Sequence, residues 1–151
     1  MSRENSTFLL QMITPEQIIY GQPVSKLIIN TLEGEITVLP CHAPLVAAIK
    51  PGEAKVTEFG EGKEKEKIMA VSEGVIEVRD NIVKLLVQKA ERVEELEQEK
   101  IERARKAAEE LVEKAKKAGA DKREFTVLET SLQREIARLR VYEKYSRKRV
   151  K

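Results

Sequence analysis

From residue 8 to about residue 87 the apolar residues come in short runs, separated by turn-forming residues at intervals of roughly ten, the pattern of an all-β sandwich or barrel. The spacing predicts strands at 8–13, 17–20, 24–30, 35–39, 45–49, 54–59, 66–71, 75–79 and 82–87. Between them lie Thr14-Pro15-Glu16, Glu33-Gly34, Pro51-Gly52, Ser72-Glu73-Gly74 and Asp80-Asn81, each with the chemistry of a turn. The charged run at residues 60–65 reads as an exposed hairpin tip.

After Gln88 the period changes. Val93, Leu96, Lys100, Ala104, Ala107, Leu111, Ala115 and Ala118 recur at three and four, which places them on one narrow, alanine-rich stripe of a long helix. Small side chains let a second helix approach closely, and Phe125, Leu128, Leu132, Ile136 and Leu139 provide its bulkier stripe. Gly119 suits a left-handed helix end, and Asp121 followed by Glu124 resembles a capping box, so an antiparallel helical hairpin turns at 118–121. The expected fold class is therefore α+β: an N-terminal antiparallel β-sandwich over residues 1–88, then a C-terminal antiparallel two-helix hairpin over 89–151.

A first helix from about residue 91 to 117 would extend ~40 Å at 1.5 Å per residue, longer than a small β domain is wide. Such a hairpin buries one seam, worth ~1.5–3 kcal/mol per fully buried Leu or Ile, against a backbone entropy of ~1–2 kcal/mol per residue. Its arrangement is expected to be marginal and easily biased by a partner or ligand, the physical requirement for a switch.

Composition narrows the function classes. The chain has 151 residues, 41% of them apolar and 36% charged, with no Trp and a net charge of +2, so bulk electrostatics nominate neither nucleic acid nor an anionic membrane as partner. The single cysteine, Cys41, excludes an intrachain disulfide framework or a multi-cysteine zinc site and fits a reducing cytosol. No apolar stretch approaches the ~18 residues of a membrane span, and Met1-Ser2-Arg3-Glu4-Asn5 has no signal-peptide pattern. Membrane contact is expected only through a partner.

The stretch running from Glu33-Gly34-Glu35 through Leu39-Pro40-Cys41-His42-Ala43-Pro44-Leu45 to Pro51-Gly52 resembles the signature of the epsilon subunit of F-type ATP synthases. Three further stretches match in order: Ile13-Thr14-Pro15-Glu16, the Val71–Val78 hairpin segment, and Ile136-Ala137-Arg138-Leu139-Arg140-Val141. The family pattern often has Gly where this chain has Cys41 and Thr37.

The resemblance implies a non-catalytic rotor subunit, peripheral on the cytoplasmic side of the cell inner membrane as part of the complex. It implies a sandwich at the foot of the central stalk, contacting the gamma subunit and the c-ring. It also implies a hairpin that either folds down on the sandwich or extends into the catalytic head of alpha and beta subunits, where it blocks ATP hydrolysis. Glu35 and His42 carry over to the c-ring contact. Arg134, Arg138 and Arg140, in a tail with seven basic residues and one acidic residue between positions 138 and 151, are the expected contacts to the head.

No cofactor is required, but some family members bind regulatory ATP between hairpin and sandwich. Glu91, Arg134 and Arg138 match that constellation, whereas Glu97 replaces the usual Asp, Lys100 replaces an Arg, and Ala107 stands where another Arg would be. Lysine does not reproduce a bidentate guanidinium contact to phosphate.

Blander readings compete with these. His42, the only histidine, is on its own an ordinary loop residue, and one His beside one Cys supplies too few ligands for a closed metal site. A catalytic Cys–His pair is not credible between adjacent residues, and no phosphate-loop motif occurs. The dense charge at 91–124 reads as a solvated helix face with pairs such as Glu99–Arg103. The rival class is a small nucleic-acid-binding β barrel anchored by Arg147-Lys148-Arg149. It asks for aromatics interleaved with basic residues on strands, and the β half offers only Phe8, Tyr20 and Phe59. A coiled-coil adaptor is the other rival, against which the turn at 118–121 argues.

Overall fold

The structure, a computed structural model, describes residues 6–149, with side-chain environments to residue 146. The start that was read for a leader and the side chains of the Arg147-Lys148-Arg149 tail lie outside the described residues. The chain divides into two compact units, with the break between Arg92 and Val93.

Nine strands build the first unit: β1 (Phe8–Ile13), β2 (Ile18–Val24), β3 (Lys26–Thr31), β4 (Gly34–Val38), β5 (Leu45–Gly60), β6 (Lys63–Val71), β7 (Gly74–Arg79), β8 (Ile82–Val87) and β9 (Ala90–Arg92). Hydrogen bonding follows the order β2-β1-β8-β7-β5-β3-β4, with β6 joining β5 to β9. Only the β1–β8 pairing is parallel.

Two layers arise because β5 serves both. Its first part, Leu45 to Ile49, pairs with β7, whereas Gly52 to Gly60 pairs with β6 and Lys26 to Ile29 of β3 pair with its second part. The sequence reading places a turn at Pro51-Gly52 and splits this strand in two. The structure instead carries the backbone straight through: Pro51, lacking an N–H, stands at the changeover of partners, where a ladder bond is dispensable.

In β1, β3 and β8 strict alternation puts one face of the strand into the core. Phe8, Leu10 and Met12 of β1 and Val83, Leu85 and Val87 of β8 point inward, opposed by Leu27 and Ile29 of β3 and Val56 of β5. At ~25 cal/mol per Å² of apolar surface, these residues supply most of the drive to fold. Thr31, buried among them, keeps its hydroxyl satisfied by donating to Gly34 O (2.8 Å) and accepting from Glu33 N–H (3.2 Å). Two tight turns need left-handed backbone at both central residues: Glu61-Gly62 (φ 52° and 76°) and Asp80-Asn81 (φ 53° and 61°).

β9 was not expected. Ala90, Glu91 and Arg92 pair with Val71, Ala70 and Met69 of β6, so the segment read as the start of a helix is spent as a strand. A 3₁₀ turn at Val93–Glu95 follows, and the first helix, α1 (Gln98–Lys117), starts seven residues later than the pattern predicts. Periodicity at three and four was satisfied by Val93 and Leu96, but both are buried from the turn rather than from a helix.

The second unit packs α1 antiparallel to α2 (Lys122–Arg149). The turn is a Schellman motif: Ala120 N–H donates to Ala115 O (3.0 Å), Gly119 N–H to Lys116 O (3.4 Å), and Gly119 has φ 65°. Asp121 then caps α2, its Oδ1 accepting Glu124 N–H (2.8 Å). The inward stripe of α1 is offset by one residue from the expected one. Ile101, Ala108 and Val112 are buried, whereas Ala107 is exposed and Leu111 half-exposed to solvent at 50%. Leu111, Ala115 and Ala118 of the expected stripe instead line an open cavity with Val127 and Leu128 of α2.

Candidate functional site

Glu35 and His42 stand on one continuous segment. Glu35 is exposed near the start of β4, opposite Asn30 of β3, and His42 follows the far end of that strand. At ~3.3 Å per residue, Glu35 and Val38 are ~10 Å apart along the strand, and the turn Leu39-Pro40-Cys41-His42 completes the connection. His42 N–H donates to Leu39 O (3.2 Å) across this turn, with Pro40 second and Cys41 third at φ 62°, the sequence of a type II turn.

The His42 ring lies with Nδ1 2.7 Å from Ala43 O. A carbonyl only accepts, so Nδ1–H is the donor in this bond. Glu35, at the other end of β4, presents an exposed carboxylate. Cys41 is a free, exposed thiol.

The remaining expected residues divide into groups. Glu91 lies on β9 in the first unit and pairs with Lys89 (3.4 Å). Glu97 precedes α1 and pairs with Lys100 (3.1 Å), both side chains more than half exposed. Arg134 and Arg138 are four apart on α2 and half-buried, with Arg138 bonded to Glu135 at 2.6 Å. Arg140 is exposed, and a further two residues turn it ~200° away from Arg138. The three arginines therefore do not form one patch on the helix, and Glu91 is not at the base of α1 as expected, because its backbone is committed to β6. Among the expected charge pairs, Glu99–Arg103 forms at 3.8 Å.

A second polar cluster was not anticipated. Tyr20 of β2 donates its hydroxyl to Glu58 of β5, which also takes Lys67 Nζ at 2.9 Å, and that ammonium lies 6.0 Å from the Tyr20 ring centroid. Burial, then the hydrogen bond to Glu58 and its charge, pushes the phenol well up, with Arg92 partly offsetting. Burial opposes ionisation of Glu58, but hydrogen bonds from Tyr20 and Lys67 outweigh it and hold the carboxyl below its ordinary value.

The outer face of the β2-β1-β8-β7-β5 layer also escaped the sequence reading. Ladder register aligns Ala48, Val75, Leu86, Ile13 and Ile18 in one row across five strands. Val75, Leu86 and Ile18 are 39, 44 and 62% exposed, and Val46, one row over, 71%. The available signal was apolar residues in both phases of β7 and β8, which an alternating strand with a solvated outer face does not need. Among the described residues no group of three metal-ligating side chains occurs, and no helix is long and apolar enough to cross a membrane.

Residues 7–93 match the family described as ATP synthase, Delta/Epsilon chain, beta-sandwich domain. The chain belongs to the epsilon family of F-type ATP synthases. It is similar to the ATP synthase epsilon chain of Dehalococcoides mccartyi, 35% identical over 135 residues, 89% of this chain and 91% of that one. With the epsilon chain of Syntrophomonas wolfei it shares 37% identity over 92 residues, 61% of this chain, and spans 65% of that relative's length. A chain of the Euglena gracilis mitochondrial ATP synthase OSCP/F1/c-ring assembly aligns with a TM-score of 0.66 at 25% identity, covering 87% of this chain and 79% of that one. The central stalk and c-ring structure of the Tetrahymena thermophila enzyme shares the fold, with a TM-score of 0.50 at 19% identity over 58% of this chain and 67% of that one. Family membership displaces the nucleic-acid reading.

Proposed function

We propose that this chain is a non-catalytic subunit of the ATP synthase rotor, which couples the gamma subunit to the c-ring and restrains ATP hydrolysis through its helical hairpin. The observation that carries the reading is the extent of the likeness to the Dehalococcoides epsilon chain, which runs over 135 residues and so includes the hairpin as well as the sandwich. The Cys41 and His42 side chains do not act as a nucleophile and base: the His42 ring is bonded to Ala43 O, and the thiol faces solvent. Catalysis belongs to the partners.

Each unit is assigned a contact. The apolar row Ala48-Val75-Leu86-Ile13-Ile18 suits the gamma subunit, because an exposed apolar row on a sheet face is stabilised by a partner that covers it. Glu35, an exposed carboxylate, and His42, an imidazole, suit hydrogen-bonding groups on the polar loops of the c-ring. Arg134, Arg138 and Arg140 on α2 are the contacts to the alpha and beta subunits. The complex holds the chain peripherally at the cytoplasmic face of the inner membrane.

ATP is proposed as a regulatory ligand of the hairpin, with Glu97, Lys100, Arg134 and Arg138 as its contacts; Glu91, expected among them, belongs to the first unit and is left out. Glu97 already neutralises Lys100 and Glu135 engages Arg138, so binding has to exchange these pairs for phosphate contacts.

Removal of the hairpin tests the inhibitory role: the complex assembles, and inhibition dependent on this subunit disappears from its ATPase rate. Persistent inhibition would show that the hairpin is not the inhibitor. Calorimetric titration with Mg-ATP, beside a Lys100→Ala, Arg134→Ala, Arg138→Ala variant, tests the ligand. Saturable heat lost in the variant supports it, and no binding up to millimolar ATP rejects it.

A further inference from the structure

We infer that Asn81, forty residues from Cys41 in the chain, is the positioning residue that holds the Leu39–His42 turn in the shape in which His42 meets the c-ring. The inference rests on the proposed ring contact and adds a residue to it.

Four observations converge on this side chain. Cys41 N–H donates to Asn81 Oδ1 at 2.8 Å. Asn81 Nδ2 donates to Thr7 O at 2.9 Å, which anchors the side chain, and the backbone carbonyl of Asn81 accepts Leu9 N–H at 3.2 Å, which anchors the main chain beside the start of β1. Asn81 has φ 61° in the two-residue turn between β7 and β8, which fixes its Cα on a rigid hairpin. Cys41 has φ 62°, the left-handed region that strains a residue with a Cβ and costs glycine almost nothing.

The turn therefore has a fault and a remedy. The third position of a type II turn wants glycine, and this chain has cysteine there. An acceptor aimed at the cysteine N–H stabilises the strained backbone, and the neighbouring His42 N–H is then free to close the turn on Leu39 O. Asn suits this post better than most residues, because it tolerates positive φ itself and offers an acceptor and a donor in one planar group. Neither short range nor periodicity connects residue 81 to residue 41. The link exists only in the folded sandwich.

The test uses the full chain with three substitutions. Asn81→Gly keeps the left-handed turn and removes both side-chain bonds. Asn81→Asp retains the acceptor for Cys41 N–H. His42→Ala removes the proposed contact itself. The exchange rates of the Cys41 and His42 amides, and the maleimide reaction rate of the Cys41 thiol, report the turn in the isolated protein. Affinity for a purified gamma–c-ring subcomplex reports the contact.

The expected result is that Asn81→Gly speeds exchange and thiol reaction and weakens binding, each by about fivefold, the effect of losing the one of its two bonds that reaches the turn. Asn81→Asp, which keeps the acceptor for Cys41 N–H but loses the donor to Thr7 O, restores both in part, and Cys41→Gly in the Asn81→Gly background recovers binding although the bonds from residue 81 stay absent, because glycine removes the left-handed strain that Asn81 offsets. Unchanged amide exchange in Asn81→Gly, or unchanged ring affinity in it while His42→Ala binds weakly, overturns the positioning role. If His42→Ala binds the ring normally, the ring contact itself is wrong and the consequence assigned to Asn81 falls with it.

Discussion

Two residues set tolerances that substitution can measure. Gly74 opens β7 where the backbone of β8 passes so closely that an added Cβ would lie 2.0 Å from Leu86 O and 2.9 Å from Val87 Cα. Backbone cannot swing aside as a side-chain tip can, so Gly74→Ala is expected to cost about 3 kcal/mol as the two strands part. In urea unfolding the midpoint falls with the slope unchanged. Gly60, with open space around its Cβ direction, is the control. Glu58 sets the pH response. Its carboxyl is held below the ordinary 4.5, so the stability it contributes is fully present above that value and is lost as pH falls through the lower, folded-state value. Glu58→Gln is expected to flatten the acid limb of a stability-versus-pH curve, and Tyr20→Phe to flatten it partly, because the phenol donates one of the two hydrogen bonds that lower the carboxyl. An acid limb identical in Glu58→Gln would show that this carboxyl does not govern it.

At the scale of elements, local chemistry was legible where one residue type has few structural uses. Gly119 and Asp121 read as a helix end and a helix cap because left-handed backbone and an orphan N–H leave few alternatives, and both are found so. Strands β1 and β8 were legible to the residue because each is a short apolar run closed off by turn residues, Thr14-Pro15-Glu16 after β1 and Asp80-Asn81 before β8. Elements whose identity depends on partners were not. Ala90-Glu91-Arg92 is a strand only because β6 has a free edge beside it, and Pro51 lies inside a strand only because β5 changes neighbours there. The candidate site divides in the same way. Glu35 and His42 were legible as a motif, whereas Asn81, Tyr20 and the apolar row across five strands depend on register. The legible turn gives a prediction: Gly119→Ala costs about 1 kcal/mol through its left-handed backbone, and Asp121→Ala about 1 kcal/mol through the lost cap. The helical signal at 222 nm should begin to melt at lower temperature in both, while tertiary signals from the sandwich stay put. A common shift of both signals would mean that the two units unfold as one.

For the whole molecule, the break at Arg92/Val93 decides how the two units are to be separated. Cutting after Val87, where the strand pattern ends, would remove more than the hairpin. Lys89 O accepts Ser72 N–H at 2.9 Å, and Lys89 N–H donates to Ser72 Oγ at 2.9 Å. Ser72 is 2% exposed, so its N–H would lose its partner while its hydroxyl keeps only the bond to Glu73 O (3.1 Å), and β6 would lose the β9 pairing at Met69, Ala70 and Val71. Unsatisfied buried groups cost ~1–3 kcal/mol each, a large share of the stability of a ~90-residue domain. A chain ending at Val87 is therefore expected to unfold at markedly lower urea than one ending at Arg92, and to assemble poorly for a reason unrelated to inhibition. The chain ending at Arg92 keeps β9 and tests the hairpin alone: it should retain the unfolding slope expected for the sandwich, enter the complex, and leave ATP hydrolysis unrestrained. If both truncations assemble and unfold alike, β9 contributes nothing to the sandwich. The functional boundary would then lie where the strand pattern ends rather than where the fold does.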